Sequence, residues 1–167
     1  MKIKIFTTGG TIDKIYFDRK SAYEVGPPYI SGLLSEINVN IDYSIETLFR
    51  KDSLDITLED RILLRKKICT EKTQRILITH GTDTMTETGM FLAGFKEKII
   101  VLTGAMEPAK FKTSDAVFNI GCAIGAIQAL LPGVYIAMNG RVYSPFEVIK
   151  NKETGKFEEI VSQEERP

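Results

Sequence analysis

The chain has one histidine, two cysteines and no net charge, and each scarcity removes a class of function. A lone imidazole, His80, without a second imidazole or acidic ligand spacing offers no metal site, so its expected role is to brace the loop that carries it. Cys69 and Cys122 lie inside helical patterns rather than a Cys-x-x-Cys arrangement, so buried free thiols are expected, as in a reducing compartment. The 22 basic and 22 acidic side chains cancel, leaving no global field to gather nucleic acid or anionic lipid. After Met1 comes the alternating run Lys-Ile-Lys-Ile-Phe, far shorter than the apolar part of a secretory signal. The longest apolar stretch, Ala116 to Leu131, is broken by Asn119 and Gln128, short of the roughly 18 residues of a spanning helix. A soluble, cytoplasmic protein with a small-molecule ligand is the expectation.

The 167 residues are 43% hydrophobic, enough for one core, so residues 1–167 are expected to form one domain. Strand patterns over Lys2–Thr7, Ile41–Phe49, Arg75–Thr79, Lys98–Thr103 and Gly133–Met138 alternate with helical ones. The helices are expected over Tyr29–Glu36, from a Thr57 cap to about Thr70, over Thr84–Phe95 and over Ser114–Leu131. This order predicts an α/β fold, a three-layer Rossmann-like or flavodoxin-like, mainly parallel sheet with helices on both faces. Asn139-Gly140 predicts a hairpin turn into Arg141–Tyr143, while the polar stretch beyond receives no assignment. Ile12 to Pro28 lacks sustained periodicity; it is either a hairpin-like or mobile segment acting as a lid, or a tolerated insertion.

In open α/β sheets ligands bind beyond the carboxyl ends of the strands, and two hydroxyl-rich loops fall there. They are Thr7-Thr8-Gly9-Gly10-Thr11 and Thr79-His80-Gly81-Thr82-Asp83-Thr84. Gly9 and Gly10 allow a close backbone approach, so Thr11 can sit on an exposed turn with N–H groups facing a developing oxyanion. The second loop enters a helix and aims further N–H groups at the same region. Either loop can also be plain turn chemistry, since threonines are common at strand ends and Gly-Gly is a turn device. Neither Gly-x-Gly-x-x-Gly nor a Gly-Lys-Ser/Thr ending is present, which disfavours nucleotide binding.

Thr8-Gly9-Gly10-Thr11-Ile12 and His80-Gly81-Thr82-Asp83-Thr84-Met85 resemble the two signature motifs of bacterial-type L-asparaginases. The likeness continues through Thr103-Gly104-Ala105-Met106-x-Pro108, Asp115 to Asn119 and Gly133 to Asn139, covering nearly the whole chain. The resemblance implies an amidohydrolase without metal or organic cofactor, in which Thr11 attacks the side-chain amide to give an acyl-enzyme and ammonia. It implies that Tyr23 is the loop tyrosine that hydrogen-bonds the nucleophile, with Tyr16 as competitor for that role. Thr82, Asp83 and Lys150 resemble the family's second set, in which the lysine polarises the hydroxyl and the carboxylate binds the substrate's α-amino group. Ser53 falls where the family places the serine that holds the α-carboxylate, and Gly10 lies against the substrate.

Two departures stand out. Leu54 occupies a position that is commonly glutamine in long members, so substrate anchoring must differ there. The resemblance also ends where long members begin a second, smaller domain, which leaves selectivity between asparagine and glutamine open. A family member without that domain would expose apolar surface, and a homodimer or homotetramer built as a dimer of dimers is expected. Three functions remain at this point: an amidase of L-asparagine or L-glutamine, the ammonia-releasing subunit of an amidotransferase, and a non-catalytic sensor of asparagine or aspartate.

Overall fold

The computed structural model describes residues 1–17 and 22–160. The first strand, β1 (Lys2–Gly9), packs its odd residues Ile3 and Ile5 into one apolar cluster and Phe6 into another. Residues buried on both faces are what a strand inside a parallel sheet requires. A 3-10 turn at Thr11–Asp13 follows. Then come β2 (Lys14–Phe17), β3 (Ala22–Val25), α1 (Tyr29–Glu36) and β4 (Asp42–Lys51). A second 3-10 turn, Ser53–Asp55, leads to α2 (Leu58–Thr70), β5 (Arg75–Thr79), α3 (Met85–Leu92), β6 (Ile99–Thr103) and α4 (Ala116–Ala129). The chain continues through β7 (Gly133–Met138), β8 (Arg141–Tyr143), β9 (Val148–Lys150) and β10 (Phe157–Glu159).

The six-stranded sheet runs β4-β1-β5-β6-β7-β8, all parallel except β8 at the edge. Helices α1 and α4 cover one face through Ile30, Leu33, Leu34, Ile120 and Ile127. Helices α2 and α3 cover the other through Leu64, Ile68, Met85 and Leu92. The expected three-layer α/β fold is therefore present, with the doubly wound order in which the winding reverses between β1 and β5.

Local chemistry accounts for several boundaries. Thr57 and Asp60 form a capping box: the Asp60 N–H donates to Thr57 Oγ1 at 3.4 Å and the Thr57 N–H to Asp60 Oδ2 at 2.9 Å. Asn139 and Gly140 take φ of 53° and 79°, the tight-turn geometry expected between β7 and β8. Helix α3 stops at Leu92 rather than Phe95, because Ala93 already turns extended at ψ 103° and Gly94 follows at φ 158°. Ile12 to Pro28 contains the antiparallel pair β2–β3; residues 18–21 of that segment lie outside the described residues.

One sequence expectation is corrected and one gap is filled. Cys69 is exposed and Cys122 half-buried, not buried thiols. Helix α2 buries only Leu64 and Ile68, and Cys69 follows Ile68 by one residue, about 100° round the helix. The unassigned carboxyl-terminal stretch contains the β9–β10 hairpin, whose Val148 and Phe157 enter the core.

A polar network centred on the buried Asn119 pins that hairpin. Asn119, fully buried, donates from Nδ2 to the Gly104 carbonyl at 3.0 Å and to Asp115 Oδ2 at 2.8 Å, and its Oδ1 accepts the Asn139 N–H at 3.1 Å. Asn139 Oδ1 in turn accepts the Phe157 N–H at 3.0 Å. Replacing Asn119 strands three partners at once, the Gly104 carbonyl among them buried, so Asn119→Ala is expected to lower the unfolding free energy by about 3 kcal/mol. The shift of the urea midpoint at unchanged m-value measures it, and an unchanged midpoint would contradict the bracing role.

Candidate active site

Where the winding reverses, the loops after β1 and β5 touch. Gly10, at φ 94°, lies so close to Gly81 that a Cβ on it would stand 2.4 Å from the Gly81 Cα. Gly81 in turn lies against Ser53, with 2.6 Å from its own would-be Cβ to the Ser53 Cβ. Three loops, from β1, β4 and β5, thus converge, the first and third backbone to backbone and the second through the Ser53 side chain. Thr11 and Thr82 each follow one of the touching glycines. The Gly10 N–H donates to the Lys51 carbonyl at 2.8 Å, fixing the first loop to β4.

The expected second set is assembled. Lys150, on β9, donates from Nζ to Thr82 Oγ1 at 2.8 Å and to Asp83 Oδ1 at 2.6 Å. Thr82 is buried, whereas the Asp83 side chain is 41% exposed and so available to a ligand. Because an ammonium only donates, the Thr82 oxygen accepts from Lys150 and its own proton is directed elsewhere. Ser53, 1% exposed, accepts the Asp83 N–H on Oγ at 3.3 Å and the Thr84 hydroxyl on its carbonyl at 2.7 Å. Among the described residues its hydroxyl proton meets no acceptor, which leaves it available to a ligand. Leu54, next to it, is 73% exposed.

The Thr11 hydroxyl makes no hydrogen bond to the described residues, and Tyr23 is not bonded to it. Tyr23 stands opposite Tyr16 on the β2–β3 pair, in edge contact with Tyr16 at 5.4 Å and with Phe111 at 6.2 Å between ring centroids. His80 braces its loop as expected: Nδ1 lies 2.7 Å from the Gly81 carbonyl and Nε2 2.9 Å from Thr88 Oγ1. Among the described residues no three His, Cys, Asp or Glu side chains cluster as metal ligands.

Sequence reasoning missed Asp13. Two residues beyond Thr11, it is 4% exposed and accepts the Tyr29 N–H at 2.8 Å, capping α1 where Pro28 offers no side-chain cap. It lines a cavity of about 230 Å³ with Ile12, Tyr29, Leu33 and Lys110, beside the Thr11 turn. Its position in the chain gives no sign of this, since the helix it caps begins sixteen residues later.

An α/β protein whose hydroxyl and lysine groups meet at the winding reversal is the class that fold and site define. Residues 2–167 match the family model "Asparaginase, N-terminal", and the chain belongs to that family. It is 34% identical over 166 residues to "L-asparaginase 2" of Escherichia coli, an alignment that takes in 91% of this chain and 47% of that protein. A solved structure described as "The thermostable L-asparaginase from Thermococcus kodakarensis" superposes with a TM-score of 0.80 at 28% identity, covering 96% of this chain and 51% of that one. Another, "Probable Cytoplasmic L-asparaginase from Campylobacter jejuni", gives a TM-score of 0.75 at 31% identity, with 89% and 48% covered. The chain spans about half the length of the curated relatives it matches.

Two buried titrating groups beside the site act in opposite directions. Burial pushes the Asp13 carboxyl up to about 6, against the Tyr29 N–H and the Arg50 charge. Its contribution to stability is present below its ordinary value of 3.8 and is lost as pH rises through about 6. Burial holds His80 down at about 4, with the Arg61 charge adding to it against the Gly81 bond. Its contribution is present above the ordinary 6.5 and lost as pH falls through about 4. Each is worth on the order of 2–3 kcal/mol and they offset one another between about pH 4 and 6. Asp13→Asn keeps the acceptor for Tyr29 but removes one slope, so its stability relative to wild type is expected to rise from pH 4 to 6. Urea unfolding across that range tests it; a constant difference would refute the assignment.

Proposed function

We propose that this chain hydrolyses the side-chain amide of L-asparagine to L-aspartate and ammonia through an acyl ester on Thr11. The observation that carries the reading is Lys150 Nζ placed between Thr82 Oγ1 and Asp83 Oδ1 at 2.8 and 2.6 Å, beside the loop that presents Thr11. Family membership supports the reaction class.

In this reading Thr11 Oγ1 bonds to the amide carbon and gives up its proton, and the tetrahedral carbon collapses with loss of the nitrogen as ammonia, which takes up that proton. Backbone N–H groups of the two glycine turns stabilise the oxyanion, and closure of the β2–β3 pair brings Tyr23 to hydrogen-bond Thr11. Thr82, its oxygen held by Lys150, turns its own proton towards the substrate side. It orients the water that adds to the acyl carbon, while the water's other proton returns to Thr11. Asp83 has one oxygen on Lys150 and offers the other to the α-ammonium group; the free Ser53 proton meets the α-carboxylate. Gly10 lies against the substrate, where a side chain would not fit. No metal or organic cofactor takes part.

The same reading treats residues 1–167 as one cytoplasmic domain that works as a homodimer or homotetramer. Phe118 at 63% and Leu131 at 78% exposed are apolar side chains that a partner copy would cover. Sedimentation at micromolar concentration is expected to give a dimer or tetramer, and a monomer would refute this part.

The decisive experiment is ammonia release from L-asparagine and L-glutamine by wild type and by Thr11→Ala and Lys150→Met variants. Asparagine is expected to be preferred, and each variant to lose on the order of a thousandfold or more in kcat. Full activity of Thr11→Ala would overturn the acyl-enzyme assignment, and folded wild type inert towards both amides would overturn the amidase reading.

A further inference from the structure

Gly81 is packed between Gly10 and Ser53 but has no side chain to fix the rotation of the peptide that leads into Thr82. Its carbonyl is a handle on that rotation, and His80 Nδ1 lies 2.7 Å from that oxygen. On its other side the same imidazole lies 2.9 Å from Thr88 Oγ1, and Arg61 Nε, from α2, donates to that hydroxyl at 3.1 Å. Thr88 and His80 are fully buried, and the Arg61 side chain is 13% exposed.

Donor and acceptor valences fix every proton in this chain. A carbonyl only accepts, so the imidazole proton resides on Nδ1, facing Gly81. In the neutral ring Nε2 is then the acceptor, so Thr88 directs its single proton to Nε2 while its oxygen accepts from Arg61. The Gly81 carbonyl sets the tautomer and the Arg61 bond is compatible with it. Arg61 is held in turn by Glu87 at 2.9 Å and by the Ile56 carbonyl at 3.4 Å.

We infer that Arg61, remote from the reacting atoms, is a positioning residue: through Thr88 and His80 it fixes the Gly81–Thr82 peptide so that the Thr82 hydroxyl stays on Lys150. A turn of that peptide would carry Thr82 Oγ1 off the 2.8 Å contact. The charged groups that face His80 are Arg61 on α2 and, behind it, Glu87 on α3; Gly10 and Gly104, which lie against its backbone, carry no charge. The consequence for turnover rests on the asparaginase reading, whereas the proton arrangement does not.

His80 is the only histidine, so its imidazole nitrogens are read by NMR without assignment. Wild type is expected to show one neutral tautomer protonated on Nδ1, with a proton slow to exchange. Arg61→Met and Thr88→Val are expected to speed that exchange roughly tenfold or more and to lower kcat for ammonia release by a similar factor, with KM little changed. Thr88→Ser, which keeps the hydroxyl, should restore both. Glu87→Ala breaks the ion pair but leaves the Nε bond, and should move neither. An Nε2-protonated wild type overturns the inference whether or not ammonia is released. So do ring signals and kcat unmoved in Thr88→Val, or effects in Glu87→Ala equal to those in Arg61→Met. A wild type with the Nδ1 tautomer that turns over no amide overturns the asparaginase reading and leaves the proton chain supported.

Discussion

The contact between Gly10 and Gly81 is the constraint on which the site depends. The chain winds one way from β1 to β4 and the other way from β5 onward, so the crevice at the carboxyl edge opens between β1 and β5. Bringing the two loops together there requires backbone against backbone; a Cβ on Gly10 would stand 2.4 Å from the Gly81 Cα. Ser53 closes the arrangement from β4. Thr11, Ser53 and Thr82 therefore come from three neighbouring strands, and their relation is set by sheet register rather than by long side chains.

Lys150 reaches this group from outside the six-stranded sheet, on a short hairpin that puts Val148 and Phe157 into the core. Its placement is secured by polar bonds that pass through the fold: Asp115 to Asn119, Asn119 to Asn139, Asn139 to the Phe157 backbone, with the Tyr143 hydroxyl adding a bond to the Phe157 carbonyl at 2.9 Å. A buried amide such as Asn119, which satisfies several partners, specifies one geometry, because any other leaves a donor or acceptor unpaired at a cost of about 1–3 kcal/mol. The apolar contacts of Val148 and Phe157 alone would hold Lys150 near the site without fixing the angle of approach to Thr82.

What could be read from sequence follows from what is local. The strand and helix order, the Thr57 cap and the Asn139-Gly140 turn are short-range patterns, and the order alone implied a crevice holding both glycine loops. Lys150 was legible only through resemblance, since its own neighbourhood reads as an ordinary surface stretch and the β9–β10 hairpin has three-residue strands with no sustained alternation. Asp13, Thr88 and Arg61 were not legible. Their partners lie 16, 8 and 27 positions away, and nothing near a residue in the chain states which distant backbone group it will meet. Cys69 failed for a related reason: helical periodicity marks a buried face, but the width of that face depends on what packs against it.

The division of charge at the site bears on which amide it would take. Asp83 already shares one oxygen with Lys150, so its attraction for an α-ammonium group is that of a half-neutralised carboxylate, exposed to water at 41%. Ser53 offers a single neutral donor, and Leu54 adds none. Amino-acid anchoring in the proposed reading is thus modest, and the distance from those anchors to Thr11 must do the selecting. Asparagine and glutamine differ there by one methylene, which a pocket can discriminate by only about 1–3 kcal/mol. A site that holds the α-carbon loosely lets the longer amide slide back to reach the nucleophile, so rigidity of the Gly81–Thr82–Asp83 backbone, rather than any added contact, is what would favour the shorter substrate.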